Sequence, residues 1–373
     1  MNSRAGFKVA KVLGFEVRLD ASWFILFFLV LWSLSAGVFP ATLPGLGTGT
    51  YIAMGFAGSV LLFASILLHE LAHSLVARRR GIAIHGITLF VFGGLAHTAE
   101  EPRSADDELV IAGVGPLVSL VLGGVFLGLG AAGFGPAVSE VARYLGYINL
   151  VLAAFNLLPG YPLDGGRVLR ALAWKRTGDF ARASRLATAG GRWIGMGLIV
   201  LGVLEALAGA LLGGIWLVFI GMFLRSAAAT AAGQHALEHA LRGVRAADVM
   251  LRNAPVVDAH TTLRDVAAGP ALQSTRPAFP VRENGRIVGR LELERIRATS
   301  REAWSSTVVG EVMEPLDERT VVGPETDMTE VLERIRTSPG GQVFVMQEGC
   351  VLGSIVRSDL AELAVRARAF AGR

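Results

Sequence analysis

Apolar residues in this chain gather in long blocks separated by short polar stretches. Blocks close to the roughly 20 residues needed to cross a hydrocarbon core fall at 21–38, 52–77, 109–132, 141–158, 191–209 and 212–232. They predict six transmembrane helices, the last two joined by a glycine-rich turn at Gly209–Gly214. Residues 1–19 behave differently. Phe7, Val9, Val12 and Phe15 are interleaved with Lys8, Lys11 and Glu16, which predicts an amphipathic β-hairpin rather than the apolar core of a cleavable signal. A β-rich run, Ile82–Val91, is closed by Phe92-Gly93-Gly94 just after the second block.

From about residue 246 the pattern becomes that of a soluble α/β fold, and it repeats. Ala247-Asp248-Val249-Met250 returns as Glu311-Val312-Met313, Asp265-Val266 as Glu330-Val331, and Gly289 as Gly353. A near-constant offset of this kind marks a tandem module. The expected organisation is a membrane domain over 1–235, a linker helix over 236–245, and two modules over 246–303 and 304–370.

Composition agrees. Hydrophobic residues make up 52% of the 373 and charged ones 18%, against about 25% charged in an ordinary soluble protein, and mean hydropathy is +0.52. The net charge of +4 is not gathered into a patch that would suit nucleic acid, and no nucleic-acid partner is expected. Cys350 stands alone, so no intrachain disulfide can form; a reducing compartment is consistent with this. The placement of the basic residues sets the topology. Arg78, Arg79 and Arg80 follow the second block, and Arg167, Arg170, Lys175, Arg176, Arg182 and Arg185 separate the fourth from the fifth, while 39–50 carries no charge. Both termini are therefore expected in the cytoplasm of a multi-pass plasma-membrane protein, with the bilayer itself as a partner.

The second block contains His69-Glu70-Leu71-Ala72-His73. On a helix the two histidines share a face, so both imidazoles can bind one Zn²⁺ while Glu70 reaches a water as general base. Short motifs match by chance, but ionisable residues inside a membrane are costly and are read as functional. With Arg78 at the cytoplasmic edge, His73 and His69 lie roughly 7 and 13 Å below it at about 1.5 Å per residue. A catalytic zinc also needs a third protein ligand. Asp164, in Asn156-Leu-Leu-Pro-Gly-Tyr-Pro-Leu-Asp164-Gly-Gly-Arg167, is the best donor, on a helix end that Pro159, Gly160 and Pro162 must unwind. Its competing reading is a cap for a helix starting near Gly165; broken backbone at membrane depth favours the ligand.

HExxH in an early span, paired with Asn-Leu-Leu-Pro-Gly-Tyr-Pro-Leu-Asp-Gly-Gly in a later one, resembles the site-2 protease family of intramembrane zinc metalloproteases. The resemblance covers about 1–235 and implies one Zn²⁺ per chain on His69, His73 and Asp164, with Glu70 as base. It implies a supporting role for Asn156 as an amide donor to the oxyanion; a helix–helix hydrogen bond is the alternative. It also implies that the hairpin at Gly93 and Gly94 lies beside the substrate, which an edge strand can hold extended; an ordinary tight turn is the alternative. Gly113-Val114-Gly115-Pro116-Leu117 resembles the family's small-residue motif, with Val114 departing from it, and close helix packing is a sufficient account of it. His85 and His97 are expected to be bystanders. Substrates implied by the resemblance are membrane-spanning regulators such as anti-sigma factors or membrane-held transcription factors, cut within the bilayer.

The C-terminal repeat resembles a pair of CBS domains, which often bind adenine nucleotides and commonly dimerise. The expected fold is thus a polytopic α-helical membrane protein carrying a cytoplasmic α/β CBS pair. The family's ribose-holding aspartate is present in the second copy as Asp359, though Val356 replaces the hydroxyl residue before it. Glu292 and Arg295 replace both in the first copy, leaving at most one nucleotide site. Asp359 as N-cap of a helix from about Leu360 is the competing reading. Two other functions remain open at this point, a CBS-gated transporter or channel and an inactive scaffold of the protease fold.

Overall fold

A computed structural model describes residues 6–91, 93–98, 102–241, 243–252 and 254–359. The chain divides into two compact units, Met1–Ala232 and Gly233–Arg373.

The first unit opens with a hairpin, β1 (Phe7–Val12) and β2 (Phe15–Leu19). Asp20 caps the next helix, its carboxylate accepting from the Ser22 amide at 2.9 Å. That helix, α1 (Ala21–Ser33), continues through a π-helical turn at Leu34–Val38 into α2 (Phe39–Thr42). The long α3 (Thr48–Arg79) carries the HExxH motif and is followed by β3 (Ile84–Phe90) and β4 (Gly93–Thr98). These strands form one sheet in the order β1-β2-β3-β4. The β2–β3 pairing is parallel, Glu16 opposite Gly86 and Leu19 opposite Leu89. A parallel pair cannot be closed by a tight turn; here the connection is made by α1, α2 and α3. Phe15, Leu71, Ile87 and Leu89 form the small core beneath the sheet.

Four helices complete the bundle before the junction: α4 (Ala105–Ala131), α5 (Pro136–Asn156), α6 (Asp164–Thr177) and α7 (Phe180–Leu207), with α8 (Leu211–Leu241) running past the junction into the second unit. Among the described residues five helices are long and apolar enough to span a membrane: Ala21–Thr42, Thr48–Arg79, Ala105–Ala131, Phe180–Leu207 and Leu211–Gln234. The fourth expected span, 141–158, is α5, which is absent from that group although its 21 residues reach about 30 Å. Its polar residues explain the difference. Asn149 is fully buried and donates to Ser65 Oγ and to the Leu145 carbonyl, while Glu140 pairs with Arg143 at 3.1 Å. The fifth expected span begins earlier than 191: α7 starts at Phe180, capped by Asp179, whose Oδ1 accepts from the Arg182 amide.

In the second unit the repeat seen in sequence becomes an interlock. The first copy runs α9 (Ala246–Val249), β5 (Leu251–Arg252), β6 (Val257–Asp258), α10 (Leu263–Ala268), α11 (Pro270–Gln273), β7 (Ala278–Glu283), β8 (Arg286–Glu292) and α12 (Leu293–Ala298). The second runs α13 (Val309–Val312), β9 (Val321–Val322), α14 (Met328–Thr337), β10 (Gln342–Gln347) and β11 (Cys350–Val356). Their sheets are β6-β7-β8 and β5-β11-β10-β9, so β5 of the first copy joins the sheet of the second. Reciprocally, Glu314 after α13 bridges to Arg290 of β8 in the first. The cores follow the same exchange: Ala246 packs with Met328, Val331 and Val345, and Val309 with Leu263, Phe279 and Val281. Gly289 and Gly353 mark the crossings, since a Cβ on either would stand 3.0 Å from the sulfur of Met313 or Met250.

Candidate metal centre

His69 and His73 lie on the buried face of α3. Asp164 opens α6 just after the broken stretch 157–163. Asp164 Oδ2 is 3.0 Å from His69 Nε2 and 3.2 Å from His73 Nε2, and the two Nε2 atoms are 3.2 Å apart. The predicted third donor is therefore brought to the predicted pair. The helix begins at Asp164 itself, one residue before the expected start. Its N-cap is Leu163 with no side-chain cap bond, so the Asp164 carboxylate serves the histidines and not the helix end.

The remaining ring nitrogens fix the chemistry of this triangle. His73 Nδ1 lies 2.6 Å from the Ile111 carbonyl oxygen, which can only accept, so Nδ1 carries the proton and Nε2 presents a lone pair. His69 Nδ1 lies 2.9 Å from Ser119 Oγ, and a donor there leaves the His69 Nε2 lone pair facing the same point. In that tautomer two imidazole lone pairs and a carboxylate oxygen converge on one point, an arrangement that a cation among them would satisfy. The spacing suits zinc: ligand atoms about 2.0–2.1 Å from a tetrahedral metal are about 3.3 Å from one another. The donor set fits one Zn²⁺ with a fourth position left open.

Three neighbours complete the surroundings. Gly115 of α4 lies directly over the triangle: a Cβ there would overlap His73 Nε2 and stand 2.6 Å from His69 Nε2. The Gly113-Val114-Gly115 motif, expected only to let helices pack, thus clears the space of the centre itself. Glu70 lies on the same turn of α3, covered by the hairpin; a Cβ on Gly94 would overlap Glu70 Cγ and stand 2.7 Å from its Cδ. Gly93, not Gly94, carries the positive φ (+127°), so the need for glycine at 94 is space and not backbone conformation. The stretch bearing Asp164 is seated on α7: the Tyr161 amide donates to the Ala187 carbonyl at 3.0 Å, and a Cβ on Gly160 would stand 2.6 Å from the Gly191 backbone.

Asn156 ends α5, half-buried, without a side-chain hydrogen bond among the described residues. The side chains of His85 and His97 lie outside the described residues. In the second unit Asp359 Oδ2 accepts from the buried Arg276 at 2.5 Å and from the Val356 amide at 3.1 Å. The helix there starts at Arg357, ahead of the expected Leu360, so Asp359 lies within its first turn and reaches back to the residue before it. Ser119 and the Ile111 carbonyl were not singled out by sequence reasoning; a hydroxyl four residues after Gly115 is the one signal that pointed there.

Comparison with known proteins shows the family. The model of peptidase family M50 matches residues 57–143 and 131–198, which take in the HExxH helix and the Asp164 segment. Rip3 of Mycobacterium tuberculosis, which carries a zinc-metalloprotease name, is 36% identical over 366 residues, 96% of this chain and 93% of its own. The chain belongs to peptidase family M50. It is a site-2 type zinc metalloprotease, and M50 membership removes the transporter reading. The site-2 protease structure from Methanocaldococcus jannaschii is 29% identical, covers 61% of this chain and 95% of its own, and superposes with a TM-score of 0.41. A CBS domain of a bacterial CNNM/CorC family Mg²⁺ transporter, solved with ATP, is 19% identical with a TM-score of 0.30, over 35% of this chain and 96% of its own.

Proposed function

We propose that this M50 peptidase cuts membrane-spanning protein substrates within the bilayer, with His69, His73 and Asp164 holding one Zn²⁺ and Glu70 as general base. The observation that carries the reading is the buried triangle of three acceptor atoms, two of them on α3, a helix long and apolar enough to cross a membrane. When bound, the zinc ion supplies Lewis-acid polarisation of the scissile carbonyl and lowers the pKa of water. Glu70 takes the proton of the attacking water and returns it to the leaving amine. His73 and His69 are held as Nε2 donors by the Ile111 carbonyl and Ser119. Strand β4 is an edge of its sheet and passes over Glu70 at Gly94. An extended substrate segment added to that edge would lie along the centre, which supports a role for Gly93 and Gly94 in substrate binding. Asn156, at the C-terminal end of α5, is retained as a candidate oxyanion donor.

The wider reading follows the family resemblance. Substrates are membrane-anchored regulators, anti-sigma factors or membrane-held transcription factors among them. The chain resides in the plasma membrane with both termini cytoplasmic, and the CBS pair regulates it, as a homodimer contact or through one adenine nucleotide at Asp359. A nucleotide at Asp359 has to compete with Arg276 for the carboxylate. Comparing membrane-protein fragments in cells carrying the wild type and Glu70→Gln tests the central claim. Fragments that vanish with the substitution identify substrates; an identical set in both would overturn it.

A further inference from the structure

Three consecutive acids open α4, and each is tied to a different place. Asp107 meets Arg80 at the end of α3 at 2.8 Å, and Asp106 meets Lys175 of α6 at 2.6 Å. Glu108 is fully buried and receives the Arg170 Nε at 2.7 Å, with a second guanidinium nitrogen on the same oxygen. Arg170 is itself 4% exposed, its guanidinium 4.8 Å from the Phe180 ring centroid. Arg167 Nε stands 4.0 Å from the same carboxylate.

A buried ion pair is a poor source of net stability, because desolvation offsets the attraction and apolar replacements of both partners are often neutral or better. What such a pair offers is direction, since the guanidinium fork has a fixed geometry. The direction here leads to the metal centre. Glu108, Ile111, Gly115 and Ser119 are all buried in α4 and recur at the i, i+3, i+7, i+11 spacing of one helix face. That face supplies the carbonyl for His73, the clearance over both Nε2 atoms and the hydroxyl for His69. Arg170 follows Asp164 by six residues on α6, about 9 Å along its axis. Glu108 therefore anchors the α4 stripe to the helix that delivers the carboxylate.

We infer that the Glu108–Arg170 pair is a positioning device for the centre: it sets the register of α6 against α4, and so the place of Asp164 relative to His69 and His73. The inference rests on the reading of Asp164 as third ligand. The test is zinc affinity of the full chain in detergent, measured by competition with a chelator, alongside thermal unfolding of the metal-free protein. Glu108→Gln is expected to weaken zinc binding by about 10-fold, the lower end of what losing a group bonded directly to a ligand costs, because Glu108 acts on Asp164 only through the register of α6. Arg170→Lys keeps the charge without the fork and falls in the same direction. Glu108→Leu with Arg170→Met regains metal-free stability but not zinc affinity, a separation that a merely structural role would not produce. Asp106→Asn, which breaks only the exposed pair with Lys175, leaves affinity as in the wild type. Wild-type zinc affinity in Glu108→Gln, or in the folded Leu/Met double variant, overturns the inference. Retained zinc in His69→Ala with His73→Ala would instead overturn the reading of the centre, independently of this pair.

Discussion

Replacing Gly115 by alanine adds one methyl group at the point where the two histidines converge. That methyl would overlap His73 Nε2 and stand 2.5 Å from His73 Cε1 and 2.6 Å from His69 Nε2. Ordinary carbon contacts lie near 3.5–4.0 Å, so about 1 Å must be found, by turning both rings away from Asp164 or by parting α4 from α3. Overpacking of this kind costs about 1–3 kcal/mol, which is about a 5- to 150-fold loss when charged to metal affinity. The assay is zinc competition together with melting of the metal-free and zinc-loaded protein. Because the rings can turn aside when no metal holds them, the metal-free melting temperature should fall little and the increment on adding zinc should shrink. Gly113→Ala is the control: it lies two residues away on the same helix, and its Cβ would meet nothing within 4 Å. Wild-type zinc affinity in Gly115→Ala, or an equal loss in Gly113→Ala, would refute the argument that this glycine clears the centre.

Glu70→Gln should keep the fold and full zinc occupancy yet abolish cleavage, since the amide cannot take the proton; turnover near wild type in liposomes removes Glu70 from the mechanism. Gly94→Val should impair cleavage of a helical membrane substrate more than zinc binding, because the added carbons fall on Glu70 and not on the ligands; unchanged cleavage returns the hairpin to a structural role. Ser119→Ala should weaken zinc binding by roughly 10-fold or more through the freed His69 ring, read as faster loss of zinc to a chelator. Arg276→Met should raise any affinity of the full chain for ATP, ADP or AMP by releasing Asp359, while Asp359→Ala should abolish it; calorimetry showing two equivalent sites, or binding indifferent to both changes, excludes a single site at Asp359.

How much of this was legible depended on whether a feature is written in one stretch of chain. The pairing of His69, Glu70 and His73 is fixed by helical spacing, and the apolar blocks set most of the helices. Asp164 could be named because proline and glycine break the backbone just before it. Ser119 and the Ile111 carbonyl could not, since their part depends on how closely α4 approaches α3. The glycine motif at 113–115 was visible, but only the packed helices show that one of its two glycines faces metal ligands and the other open space. α5 shows the reverse difficulty, a helix whose inward polar groups lower its apparent hydropathy. In the second unit the repeat was plain, yet repetition alone does not tell that the first copy lends β5 to the sheet of the second while Glu314 of the second bridges back to Arg290 of the first.

The parallel pairing of β2 with β3 joins segments about 70 residues apart in sequence, and the chain between them is two apolar helices. During synthesis β2 emerges first and has no partner until both helices have entered the membrane and the chain has returned to its starting side. A single helix inserted the wrong way would leave the two strands facing different compartments, where no hydrogen bond could join them. The hairpins β1–β2 and β3–β4 are each local, so what depends on correct threading is their union: a misthreaded chain would carry two separate hairpins, with β3 exposed as a second edge, instead of one four-stranded sheet.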